Sequence, residues 1–235
     1  GRGGAVHRAR GDRDRSRRAA LGVIRILIEN EINLSIRWVL EKHFPLISGN
    51  DYVADADKID QLCMFFEDRL EVDQRERGNA ADRLAAVFAE ASLVTGTPIL
   101  SIVRRVEALS ELLGTEAGQN LLAGTNRAVS IVAAEEKKGT RIADEVDPGL
   151  LTETSEKALF SAVNQAEKEA AEAIQKQDFS AAMTALSALR EPIDSFFEEV
   201  LVNAEDEDVR ANRLALLARI RQATGQVADF SKIAG

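Results

Sequence analysis

The sequence predicts an all-α protein of two packed helical bundles, and three observations carry that prediction. No stretch alternates apolar and polar residues over strand length with turn signals on both sides. Apolar side chains recur instead every three or four residues, the spacing that gathers them on one face of a helix. Alanine, leucine, glutamate and arginine dominate, aromatics are few, and glycine and proline are sparse after the first quarter of the chain.

The 235 residues suffice for one large or two small domains. A formal charge of −9 argues against binding nucleic acid through bulk positive charge, so non-specific DNA binding is not expected. A local, shaped RNA site stays open. Cys63 is the only cysteine, which excludes an internal disulfide; among Leu62, Met64, Phe65 and Phe66 it reads as a small buried apolar residue. A reducing, cytoplasmic setting fits. No run is apolar enough to span a membrane and none resembles a signal peptide.

Gly1 to Arg18 carries seven arginines, two aspartates and four glycines, with Val6 its one large aliphatic residue. Such a segment cannot bury a core, so residues 1–16 are expected to be a disordered arm. It is either an RNA-binding arm or an unstructured end, and the second reading is preferred. The helical domain expected at 17–114 begins with an amphipathic stripe of Leu21, Ile24, Leu27 and Ile28. A second helix from Ser35 to Phe44 should stop at Pro45, with Trp38 and Phe44 turned inward. Gly49-Asn50-Asp51 marks a turn. Asp55 or Asp57 caps a long helix through Leu62, Phe65, Phe66 and Leu70, and Arg77-Gly78-Asn79 separates it from one over Ala80–Ala91. Thr97-Pro98 pairs a cap with an N1 proline. Ile99, Ile102, Val103, Val106, Leu109 and Leu113 follow on one stripe ended by Gly114, while Arg104 and Arg105 are expected in solvent.

A second bundle is expected over 115–235. Thr115 opens a helix over Glu116–Lys138 whose apolar face is Leu121, Leu122, Ala128, Val129 and Val132. Asn120, Asn126, Arg127, Ser130, Lys137 and Lys138 collect within about 120° on the other side. Nothing acidic lies inside that stripe, although Glu135 and Glu136 flank it. In an acidic chain it is the candidate surface for a polyanion, since amides and arginine read base edges where lysine alone neutralises phosphate. The alternative is a solvated face whose lysines answer the helix dipole. Gly139 to Leu151, with Asp147-Pro148-Gly149, is expected to be a mobile loop. The helix Glu153–Gln177 shows one apolar stripe and otherwise wet sides. Asp178 caps the next, which packs through Phe179, Met183, Leu186 and Leu189.

The stretch from Pro192 onward divides into a short acidic-apolar helix and a longer one from about Glu207, with Glu205, Asp206, Glu207 and Asp208 favourable to its N-terminal dipole. Val209, Leu214, Leu216, Leu217 and Ile220 share a broad arc that also contains Arg210 and Arg213. Guanidinium groups on a buried face need partners. Either Asp194, Glu198 or Glu199 folds back to pair with them, or the arc ends at a cleft where at least one arginine meets an anion such as RNA phosphate.

Several strings in this half resemble a known family. Val200-Leu201-Val202, Glu205-Asp206, the run Val209-Arg210-Ala211-Asn212-Arg213-Leu214-Ala215-Leu216-Leu217 and the ending Val227-Ala228-Asp229-Phe230-Ser231 look like the end of the bacterial glycyl-tRNA synthetase β subunit. That family closes in an all-helical anticodon-binding domain of the DALR type, whose beginning Asn120-Leu121-Leu122-Ala123 and Asn126-Arg127 also resemble. Further upstream, Arg17 to Arg25 looks like a family stretch, whereas the residues before Arg17 mostly do not. The resemblance departs at Ala223-Thr224-Gly225-Gln226, where the family usually has bulkier apolar residues. It also implies an upstream region similar to the HD phosphohydrolase fold; neither His7 nor His43 is followed by Asp, so no metal chemistry is expected.

The resemblance implies a C-terminal portion of an enzyme subunit whose own role is binding. Glycine and ATP, with Mg, would be handled by the separate α subunit of an α2β2 complex, and this chain would recognise tRNA(Gly). No phosphate loop, Cys/His metal spacing or Gly-x-Ser-x-Gly elbow is present in the sequence, so no catalytic centre, metal or bound cofactor is expected. On this reading the stripe of Asn120, Asn126, Arg127, Ser130, Lys137 and Lys138, with Arg213, faces the tRNA, while Arg210 makes a structural ion pair with Asp194 or Glu198. Two alternatives stand beside it. One is a helical protein–protein scaffold using the Glu153–Gln177 helix and touching no RNA. The other is the corresponding domain of arginyl-tRNA synthetase, whose ending differs from Val227–Ser231.

Overall fold

The computed structural model describes the backbone of residues 2–48 and 56–234 and the side chains of 14–43 and 56–234. The turn expected at Gly49-Asn50-Asp51, a cap at Asp55 and the packing of Phe44 lie outside the described residues. Among those described the secondary structure is helical and no strand occurs, as expected. The helices are α1 (Arg2–Glu29), α2 (Ile36–Ser48), α3 (Ala56–Glu76), α4 (Ala81–Glu90), α5 (Ile99–Leu113), α6 (Glu116–Lys137), α7 (Thr154–Gln175), α8 (Phe179–Ser187), α9 (Arg190–Glu199) and α10 (Glu207–Gly225), with short 3-10 turns at Pro148–Leu150 and Phe230–Lys232.

The backbone of the segment expected to be a disordered arm is helical from Arg2 onward. Arginine is a good helix former, and Asp14 supports the turn by pairing with Arg17 at 3.7 Å and accepting through its carbonyl from Arg18 Nε. Helix α2 likewise passes through Pro45. A proline that close to the helix end forfeits one bond, to the carbonyl of the exposed Glu41, which water can serve.

The chain divides into two compact units, Gly1–Leu84 with Ala91–Arg104, and Ala85–Glu90 with Arg105–Gly235. The division thus falls within α4 and α5, not at the expected 114/115. Within the second unit, Asp229 N donates to Ala86 O at 2.9 Å, and Arg105 Nη1 donates to Gln226 O at 2.6 Å and Val227 O at 3.1 Å. Those bonds tie the last turn of α4 and most of α5 to the C-terminal tail. Arg105, expected in solvent, is therefore interior: its guanidinium lies 4.7 Å from the Phe179 ring centroid, and burial pushes its pKa below the usual arginine value.

In the first unit α1 and α2 pack on α3, and Ala20, Ile24, Leu27, Ile59, Cys63 and Leu70 are buried. Trp38 does not turn inward as expected. Ile36 faces the core, and at 100° per residue Trp38 is carried to the far side, where it is 50% exposed beside His43. Asp73 on α3 is buried and accepts from Arg25 Nε at 3.2 Å and Arg77 Nε at 2.6 Å. Burial alone would raise its carboxyl pKa; the two arginines outweigh that and leave it lowered.

The second unit is built around α10, buried on nearly all sides from Ala211 to Leu217 and packed against α6 and α7. Asp206 caps it, accepting from Asp208 N and Val209 N. The seat of α6 depends on two glycines: a Cβ at Gly118 would stand 1.9 Å from Leu112 O, and one at Gly124 would stand 2.8 Å from Ile193 Cγ2 of α9. The loop after α6 is not free, contrary to expectation. Asn212 of α10 accepts from Asp147 N at 2.7 Å and donates to Asp147 O at 3.0 Å, while Ala143 N donates to Ala211 O.

Candidate nucleic-acid interface

Helix α6 starts at Thr115, whose hydroxyl oxygen accepts from Gly118 N at 3.0 Å. Leu121, Leu122 and Ala128 turn into the unit, which leaves the polar stripe outward. Arg127, Ser130, Lys137 and Lys138 are exposed, and Asn120 and Asn126 are half-buried. Their chemistry differs. Lys138 donates to Glu135 at 2.6 Å, and that bond, with one from Thr140, holds the Glu135 carboxyl below its usual range. Among the described residues neither Arg127 nor Lys137 has a carboxylate in ion-pair range. Asn126 Oδ1 is buried without a partner, so the accepting half of that amide does not reach the surface.

Arg127 lies over the Phe197 ring, 4.2 Å from its centroid. Phe197 is itself set edge-on against the fully buried Phe196, at 5.6 Å and 77°. On one side of this pair is a groove of about 370 Å³, walled by Ile131, Val200, Leu201 and Val202, with Glu135, Asn203 and Arg210 among its polar lining. On the other is a hollow of about 370 Å³ bordered by Asn120, Asp194 and Glu198.

That geometry corrects the expected ion pair of Arg210. Its guanidinium reaches Glu207 at 3.9 Å and Asn203 Oδ1 at 3.4 Å, neither of them on α9. Asp194 pairs one turn back along its own helix, with Arg190 at 3.7 Å, and Glu198 borders the hollow beside Arg127. Glu207 lies one turn back on α10 itself, and the chain reversal after α9, which turns extended at Val200, brings Asn203 to Arg210 as well. Arg213, expected to face RNA, is in the core. Its Nε donates to Glu156 at 2.6 Å and its Nη1 to Leu201 O at 2.8 Å. Glu156 is fully buried and also accepts from Thr152 N and Glu153 N. Burial raises its carboxyl pKa, and these bonds more than reverse the rise.

The α6 stripe thus faces outward as its spacing implies, while Phe197 and the groove were not foreseen from the sequence. One signal was available. Adjacent residues on a helix point about 100° apart, so Phe196 and Phe197 cannot both be central to one core.

Residues 9–89 match the family described as glycyl-tRNA synthetase beta subunit, and residues 121–228 match the DALR anticodon binding domain. A curated relative, the glycine–tRNA ligase beta subunit of Phenylobacterium zucineum (strain HLK1), is 43% identical over 219 residues, which is 93% of this chain. Over most of its length the chain is thus similar to the glycyl-tRNA synthetase β-subunit family. It spans 29% of that relative's length. The match at 9–89 sets aside the arginyl-tRNA synthetase alternative. The DALR match takes in the α6 stripe from Leu121 on, and with it Phe197, Arg210 and Arg213. Among the described residues no helix is long and apolar enough to cross a membrane, and no group of three His, Cys, Asp or Glu is placed to hold a metal ion.

Proposed function

We propose that this chain is the tRNA(Gly)-recognising part of a glycyl-tRNA synthetase β subunit. It binds the anticodon arm while glycine is attached with ATP and Mg on a separate α subunit, in the cytoplasm and in an α2β2 complex. The observation that carries the reading is the pair of unpaired, exposed cations, Arg127 and Lys137, on one helix of an acidic chain, within residues that match an anticodon-binding domain. Arg127, Lys137 and, less strongly, Lys138 meet phosphates; Asn126 contributes its amide nitrogen, and Ser130 and Asn120 flank it.

Titration of the complete protein with tRNA bearing a glycine anticodon, and with one bearing an altered anticodon, tests this. Preference for the first is expected. Lys137→Ala should weaken both tRNAs alike and reduce the salt slope by about one unit. Equal affinity for the two tRNAs, together with an unchanged slope in the variant, would leave the helical scaffold as the better reading.

A further inference from the structure

We propose that the groove beside Arg127 receives one unstacked nucleobase of the bound RNA, with the Arg127–Phe197 pair as its stacking platform and Arg210 beside its phosphate. The inference rests on the RNA-binding reading above and names the part of the ligand that this groove takes. Three features of the groove converge on that occupant.

The first is its mixture of surfaces. Ile131, Val200 and Val202 give apolar walls, and Leu201 at the lip is 73% exposed, while two guanidinium groups stand over the same space. A flat heterocycle with a phosphate attached matches both kinds of surface, and sequence-reading of RNA commonly stacks a splayed base on aromatic or arginine planes. The second is unspent charge. Arg127 has no carboxylate partner among the described residues, and Arg210 makes no ion pair closer than the exposed Glu207 at 3.9 Å, beside its bond to Asn203 and its weaker attraction to Glu135. The one carboxylate lining the groove, Glu135, is engaged chiefly by Lys138 and Thr140, with Arg210 a smaller influence on it. The third is rigidity. Phe197 is braced by the buried Phe196, and the wall at Leu201 is fastened through its carbonyl to Arg213, which is held by the buried Glu156. A site built before its ligand arrives loses little affinity to ordering. Arg213 is therefore a positioning residue for this groove, acting from the core.

The test uses the complete protein and tRNA carrying 2-aminopurine at one anticodon-loop position at a time. One position should change its emission on binding to the unaltered protein. Arg127→Lys keeps the charge and removes the planar guanidinium; it should abolish that change and weaken binding about tenfold, leaving the salt slope as it was. Leu201→Asp, at an exposed position where folding is not at stake, should do the same by setting a carboxylate at the lip. Emission changes that survive both substitutions would overturn the proposal, while an intact effect of Lys137→Ala in the same experiment would leave the RNA reading standing. An emission change that survives Arg127→Ala while the salt slope falls by about one unit would also overturn it, making Arg127 a phosphate contact and nothing more. If Leu201→Asp instead releases a bound protein subunit and leaves tRNA affinity untouched, the groove is a protein-docking site and the proposal fails.

Discussion

Asp73 in the first unit and Glu156 in the second are both buried carboxylates held by arginine, yet they are buried in different ways. The side chains of Arg25 and Arg77, which hold Asp73, are 49% and 42% exposed. Glu156 and its partner Arg213 are 0% and 9% exposed. The first arrangement lets solvated arginines reach down to one interior acid, and if the acid is lost they return to water. The second places both charges in the core, where neither has that escape. Position relative to solvent, more than bond length, should decide what each cluster is worth, since Arg77–Asp73 and Arg213–Glu156 share the same 2.6 Å separation.

The largest effect is therefore expected from removing one member of the interior pair. Arg213→Met leaves Glu156 charged and stranded, and should cost about 3–5 kcal/mol in chemical denaturation. Replacing Glu156 by Gln as well should recover a good part of that loss, because a neutral amide beside a thioether is cheaper to bury than a lone carboxylate. A double variant no better than Arg213→Met alone would mean that the bonds from Arg213 to Leu201 O and, at 3.3 Å, to the Thr152 hydroxyl, not the charge pairing, dominate.

Asp73→Asn should be milder. The isosteric amide keeps the shape and some of the bonds, and Arg25 and Arg77 rehydrate, so a loss of about 1–2 kcal/mol is expected. A loss as large as that of Arg213→Met would erase the distinction between the two clusters.

Acid provides a third test with a definite sign. Both carboxyls have folded-state pKa values lowered below their ordinary ones. Their stabilisation is fully present above the unfolded values, about 3.9 for Asp and 4.3 for Glu, and is lost as pH falls through the lower folded values. The chain should thus lose stability progressively below about pH 4. The double replacement of Glu156 and Arg213 should flatten that acid limb more than Asp73→Asn does. Equal flattening by the two would argue that the clusters are alike after all.

Solvent exposure also separates what the sequence could reveal from what it could not. The all-α class, the bounds of α3, α5 and α6 and the start of α10 were legible, because apolar spacing, the caps Thr115 and Asp178, the acidic cluster before Val209 and breakers such as Gly78 act locally. The exposed stripe of α6 was legible for the same reason. Partner choice was not. Glu156 and Arg213 are 57 residues apart, and nothing in their local spacing announces the contact. Glu156 lies on a helix that reads as mostly wet, where its role at the N-terminus (bonding Thr152 N and Glu153 N) is invisible beside the neighbouring Glu153. Arg105 was missed likewise, since the carbonyls that hold it lie more than a hundred positions away, at Gln226 and Val227.

Arg210 gives the smallest expected effect and the sharpest control, because it is one turn from Arg213 on the same helix. The two share residue type, apolar neighbours and arc; only their surroundings differ. Arg213 ends on a carboxylate with no exposed surface, whereas Arg210 ends 3.9 Å from Glu207, whose side chain is 86% exposed. An ion pair with so solvated a partner is screened, and holding two long side chains together costs entropy, so its net worth is near zero. Arg210→Gln should therefore change stability by less than about 0.5 kcal/mol, against several for Arg213→Met. The amide retains reach toward Asn203 but brings no charge to the groove. Any loss of tRNA affinity in that variant must then come from the missing cation, since the fold around it is intact. A destabilisation approaching that of Arg213→Met would instead show that Arg210 is held by the core, and the distinction between these two neighbours would fall.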